Sequence, residues 1–134
     1  MRYITPLHHL LAFLLVLSMH AAAFAEAGDV TPEEAIRLIN EATPQNELVI
    51  LDIRTAPEFM MGHIQNAVHM NFYNSDFETQ LSTLPRDKRY LLYCHSGSRS
   101  ERALAMMRKM GFHHVYHLQS GIVGWYKADL PLEH

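Results

Sequence analysis

Three short runs, "ELVILDI" at 47–53, "YLLYC" at 90–94 and "HHVYHL" at 113–118, set the strongest limit on how this chain folds. The first two are apolar at consecutive positions rather than alternate ones, so both faces of each strand need cover. Strands covered on both faces belong to parallel sheets lying between helices. Helical segments alternate with these runs. Thr31-Pro32-Glu33-Glu34 spells a capping box with proline at the first helical position, and Ala35, Leu38 and Ile39 form the apolar stripe behind it. Pro57 to Met61 reads as a short helix stopped by Gly62, and "DFETQLSTL" at 76–84 as a helix with Asp76 at its N-cap. A longer helix covers 98–110, with Ala103, Met106, Met107 and Met110 on its apolar side and Gly111 as its stop. "AVHM" at 67–70 adds a short strand, and "GIVGWYKA" a last helix that Ile122, Val123 and Trp125 pack onto the sheet. The expectation is a single α/β domain with a mostly parallel central sheet and helices on both of its faces.

In such sheets ligands gather at the carboxyl ends of the strands. Cys94, the only cysteine, stands at one of them. The first residues make a lone thiol informative. Residues 1–25 combine Arg2, an apolar run from Leu10 to Leu17 and the ending Ala23-Phe24-Ala25, the pattern of a secretory signal peptide cleaved before Glu26. The run is well short of the ~20 residues that span a bilayer. We therefore expect residues 26–134 to be one exported domain without stable membrane association, periplasmic in a Gram-negative cell. Cysteines of exported proteins usually pair, and this one has no partner in the chain, so it is either a small core hydrophobe or a working thiol.

Its surroundings favour work. Cys94 ends a strand, His95-Ser96-Gly97-Ser98 follows, and a helix begins near Arg99. Gly97 allows positive φ, the serines are small, and the helix N-terminus adds partial positive charge, so the loop can turn its N–H groups inward. Such a turn lowers a thiol's pKa and binds an anion against it. Arg99 and Arg102 add full charges nearby. Elsewhere, 14 carboxylates against 11 cations, without a basic stripe, leave no footprint for nucleic acid.

"LDIRTAPEFMMGHIQNAVHM" (51–70), "YCHSGSRS" (93–100) and "LQSGIVGW" (118–125), in this order and spacing, resemble the three signatures of the rhodanese domain. The similarity runs from about residue 43 to 132. The resemblance implies a sulfurtransferase of α/β fold, without a cofactor, in which Cys94 carries a persulfide. A small anionic sulfur donor such as thiosulfate would be held by the backbone of His95, Ser96, Gly97, Ser98 and Arg99 and by the Arg99 charge. Cyanide or a thiol would then take the sulfur. Four residues separate Cys94 from Arg99, as in sulfurtransferases, whereas related phosphatases carry five. His95 stands where thiosulfate-favouring loops often place a cation, and Arg99 where the mercaptopyruvate class ends in threonine, so the donor stays open. Ser120-Gly121 replaces the usual Gly-Gly, which puts the local turn in question. A second reading is a sulfane-sulfur carrier that hands its persulfide to a partner protein with little turnover of its own. A redox sensor would lack a resolving cysteine.

The remaining polar residues read as supports. Asp52 and Arg54 leave the end of the first buried strand. Arg54 is expected to pair with Glu58, Asp52 to accept backbone N–H groups from neighbouring loops, and His63 to hydrogen-bond within the fold. His113 and His117 share a strand face but stand about 13 Å apart, too far for one metal ion. With His114 they read as solvated or edge-strand histidines.

Overall fold

The computed structural model describes residues 27–134, and the signal peptide expected at 1–25 lies outside the described residues. The two continuous aliphatic runs become neighbours at the middle of a sheet. β2 (Leu48–Asp52) lies beside β4 (Arg89–Tyr93) in parallel register, Leu48 opposite Arg89 and Asp52 opposite Tyr93. β5 (Val115–Leu118) flanks β4, and β3 (Val68–His69) flanks β2. β1 (Asp29–Val30) pairs with β5 at the edge, in the order β1-β5-β4-β2-β3. All these pairings are parallel, so the expected mostly parallel sheet is wholly so. β1 has no run of its own in the sequence: its two residues are placed by pairing with β5 and by burial of Val30 in the core.

Alternation along the strands divides the core in two. Leu51, Tyr90, Leu92 and Val115 pack against Phe77 and Leu81 of α3 (Phe77–Ser82) and Ala103, Leu104 and Met107 of α4 (Ser98–Lys109). Ile50, Leu91, Tyr93 and Tyr116 pack against Ala35 and Leu38 of α1 (Pro32–Asn40) and Ile122 and Trp125 of α5 (Gly121–Lys127). Burial of each large side chain is worth about 1.5–3 kcal/mol, and both faces of the sheet must supply it because neither meets water.

The capping box at Thr31 and Glu34 forms as read, and a second one, unforeseen, starts α2 (Ala56–Met60) through Thr55 and Glu58. Asp76 does not cap α3. Its backbone sits at φ −100°, ψ 10°, outside the extended conformation that aims a side chain at the first free N–H groups, and it makes no such bond. Among the described residues no helix is long and apolar enough to cross a membrane.

The strand order explains where a ligand could go. From β2 the chain moves outward to β3, then returns to the other side of β2 for β4. This reversal opens a crevice at the carboxyl ends of β2 and β4. Asp52 ends one strand, and Cys94 directly follows the other.

Candidate active site

The chain leaves β4 at Cys94 and turns tightly enough to enter α4 at Ser98. Gly97 makes the turn at φ 105°, and a Cβ there would meet the carbonyl oxygen of Gln119, so glycine is required twice over. The turn aims donors at sulfur: Gly97 N–H reaches Cys94 Sγ at 3.2 Å and Ser100 N–H at 3.4 Å, with Ser100 Oγ at 3.3 Å. Burial pushes the thiol pKa up, but the Ser100 hydroxyl and the N–H groups of Ser100, Gly97 and Arg99 together hold it below its ordinary value. The thiolate is thus easier to form than on an ordinary cysteine, although the residue is only 1% exposed. Behind the loop, Ile122 N–H donates to Cys94 O at 3.0 Å and Val123 N–H to His95 O at 3.1 Å, so α5 holds its carbonyls. Gly121 allows that approach with φ 61°, whereas Ser120 has ordinary right-handed angles. Serine in place of the first glycine thus leaves the turn intact.

The supporting residues pair differently from expectation. Arg54 does not meet Glu58. Its guanidinium grips Asp52 through Nε at 3.0 and 3.1 Å and a terminal nitrogen at 2.7 Å, and it also donates to Gly62 O at 2.8 Å. Asp52 accepts one backbone N–H, from Arg54 two residues on at 3.0 Å rather than from a neighbouring loop, and the Tyr93 hydroxyl at 2.6 Å. Burial raises the Tyr93 pKa well above its usual value, and the neighbouring Asp52 adds to the effect. Glu58 instead takes Arg99, by two bonds of 2.7 and 2.8 Å. Arg99 holds the Glu58 carboxyl well below the usual carboxylate range. Its guanidinium is thus anchored at the loop's edge by a carboxylate from α2. The pairing changes because the Arg54 side chain is buried beside the β2–β4 crevice, whereas Glu58 faces out toward α4. Arg102 lies with its guanidinium 5.0 Å from the Phe72 ring. His63 is structural as expected: Nδ1 meets Phe59 O at 3.0 Å, and its ring stacks on Phe59 at 3.7 Å.

His117 departs most from its reading. His113 and His114 are exposed, but His117 is buried in β5. Its Nε2 lies 2.7 Å from Ser100 Oγ and its Nδ1 2.8 Å from Asp29 Oδ1. Ser100, His117 and Asp29 were missed as site residues. The period of two along β5 carries the signal, since it puts His117 on the face of Val115, the one that packs against α4.

Two hollows border the loop. One of about 540 Å³ is lined by Arg54, Glu58, Met61, His95, Ile122 and Tyr126. The other, about 590 Å³, is lined by Asp29, Ser96, Ser98, Glu101, Arg108 and His117. His95, Ser96 and Ser98 are exposed.

Known proteins resemble this chain in sequence and fold. Residues 31–128 match the family model of the rhodanese-like domain. The probable adenylyltransferase/sulfurtransferase MoeZ of Mycobacterium tuberculosis is 35% identical over 121 residues, which cover 89% of this chain and 30% of that protein. A sulfurtransferase of Allochromatium vinosum is 31% identical over 86 residues, 64% of this chain and 78% of that protein. The crystal structure of a rhodanese-like domain protein from Staphylococcus aureus superposes with a TM-score of 0.66 at 25% identity, covering 78% of this chain and 95% of that one. The chain thus spans under a third of the length of the first of these relatives, and the two relatives' names support sulfur transfer in general terms. With the family model covering most of the described residues, the cysteine loop among them, the chain belongs to the rhodanese-like domain family.

Proposed function

We propose that the protein is a sulfurtransferase that moves sulfane sulfur from a small anionic donor such as thiosulfate to cyanide or a thiol through a persulfide on Cys94. The observation that carries the reading is the buried thiol with lowered pKa, held by the N–H groups of Gly97 and Ser100 in a loop with four residues between cysteine and arginine. The Cys94 thiolate attacks the outer sulfur of the donor, a new S–S bond forms, and the donor's own S–S bond breaks with its electron pair leaving on sulfite. The persulfide is itself an anion, and the loop N–H groups that favour the thiolate favour it too. In the second half, the acceptor attacks the outer sulfur and Cys94 departs as thiolate. Arg99, anchored by Glu58, supplies fixed positive charge at the loop without having to be ordered by the donor.

The test is the intact mass of purified protein after thiosulfate, with and without cyanide. One added sulfur atom that cyanide removes is expected in the wild type and absent in Cys94→Ala, with thiocyanate formed only by the former. Sulfur transfer retained by Cys94→Ala would sink the mechanism. The same spectrum reports signal-peptide cleavage, since the expected mature chain starts at Glu26.

A second reading keeps the persulfide but gives it to a partner protein. It is favoured by exposed Met60, Met61 and Tyr126, 75%, 79% and 73% accessible, two of which rim the hollow beside His95. A stable persulfide with slow discharge to cyanide would support it, and rapid steady-state turnover would dismiss it.

A further inference from the structure

Four side chains stand in line behind the loop: Cys94, Ser100, His117 and Asp29. Sγ lies 3.3 Å from Ser100 Oγ, that oxygen 2.7 Å from His117 Nε2, and Nδ1 2.8 Å from Asp29 Oδ1. Cys94, Ser100 and His117 are buried, at 1%, 0% and 2% exposure. A histidine inside a core needs a partner at each nitrogen, and His117 has both, in a chain that ends on the reacting sulfur and that the sulfur chemistry proposed above does not use.

We propose that Ser100, His117 and Asp29 form a proton relay that accepts the Cys94 proton when the thiol becomes a thiolate. A carboxylate only accepts, so Asp29 fixes a proton on Nδ1 and leaves the Nε2 of neutral imidazole as an acceptor. In the thiol state S–H points to Ser100 Oγ, and the serine O–H points to Nε2. In the thiolate state the S–H electron pair stays on sulfur, the proton passes to Oγ, and the serine's own proton passes to Nε2. Imidazolium N–H then donates to Oγ, and O–H donates to the sulfur anion. No atom is left unpaired in either state, and only hydrogens move. The Gly97 carbonyl, 3.1 Å from Oγ, is the one competing acceptor.

The charges around the relay favour the transfer. Facing His117 are Asp29 from β1 and, lining the same hollow, Glu101 and Arg108 from α4. The last two oppose each other in sign, which leaves the Asp29 carboxylate as the closest uncompensated charge. β4 presents Leu92 beside His117. Arg99 is a charged group that couples to the thiol. The Asp29 side chain is 55% accessible and opens to the hollow, so a proton held on His117 can leave to water without passing the loop. Ser100 touches the reacting sulfur. His117 and Asp29 act through it as positioning residues.

The inference rests on Cys94 as the nucleophile, but its test needs no sulfur donor. The rate of iodoacetamide alkylation of Cys94 against pH reports the thiolate directly. His117→Asn, which cannot take up a proton, is expected to move the profile's midpoint upward by about one unit, about a tenfold loss of rate at neutral pH. Asp29→Asn, at the exposed edge, is expected to move it the same way by less. The discriminating measurement is the double mutant: in a Ser100→Ala background, His117→Asn should cause no further shift, whereas Ser100→Thr should restore the coupling. Equal shifts with and without the serine hydroxyl, or an unmoved midpoint in both His117→Asn and Asp29→Asn, would overturn the relay. Should His117→Asn not fold, Asp29→Asn with and without Ser100→Ala gives the same comparison. A wild-type thiol that alkylates through the relay yet takes no sulfur from thiosulfate would refute the proposed function and leave the relay standing.

Discussion

Asp52→Asn is the substitution for which the structure sets the clearest magnitude. Asp52 is fully buried, and the Arg54 side chain is only 4% exposed. Asparagine keeps the shape but removes the counter-charge, offers one acceptor oxygen where two served, and turns an N–H₂ toward donors. The oxygens of Asp52 now receive the Arg54 guanidinium, the Arg54 N–H and the Tyr93 hydroxyl. Breaking one side of such a buried pair costs about 3–5 kcal/mol, because the guanidinium stays in the protein without compensation. For a domain of this size about 4 °C of melting temperature goes with each kcal/mol, so a fall of about 12–20 °C is expected. The assay is a thermal melt followed by far-ultraviolet circular dichroism at neutral pH. The double variant Asp52→Leu with Arg54→Met should melt above Asp52→Asn, since it removes both desolvated charges together. A fall under about 4 °C, which is about 1 kcal/mol, would refute the reasoning: the desolvation cost of the pair would then already cancel its attraction.

Gly97→Ala adds a Cβ at φ 105° and drives it into the Gln119 carbonyl. The conformational cost alone is about 1–2 kcal/mol, and the turn must open. A lower melting temperature together with slower alkylation of Cys94 is expected, because the Gly97 N–H leaves sulfur. Glu58 serves both Arg99 and the Thr55 cap, so Glu58→Gln should lose the ion pair but keep the cap, and Glu58→Ala should fall about 1 kcal/mol further in urea titrations. The pH dependence has a definite sign. The folded-state pKa of Glu58 is depressed, so its contribution is complete above the unfolded value of about 4.3 and is lost as pH falls toward the folded one. The stability advantage of wild type over Glu58→Gln should therefore be constant above about pH 5 and shrink below about pH 4.

Several features were legible from residue order because they depend on neighbours in the chain. "ELVILDI" and "YLLYC" read as doubly covered strands, Thr31 to Glu34 as a helix start, and Gly97 as the residue that lets Cys94 turn into α4, and each forms. The nucleophile and its loop were visible for the same reason: Cys94 to Ser100 is one continuous stretch whose own backbone supplies the donors. Asp76 shows the limit of such local reading, since the residue type was right for a cap and the backbone angles were not.

The chain's order of residues thus determined the alternation of strands and helices, the parallel sheet and the cysteine turn. Which charges meet was decided by tertiary structure. Arg54 turned to Asp52 two residues away once both were buried, which released Glu58 to Arg99 across 41 positions. His117 became part of the site only when β5 placed it against Ser100 on α4 and beside Asp29 on β1, 88 positions distant. β1 itself is two residues, too short to announce a strand, and it forms by pairing with β5. Periodicity reports which face a side chain takes, and packing alone decides what that face meets.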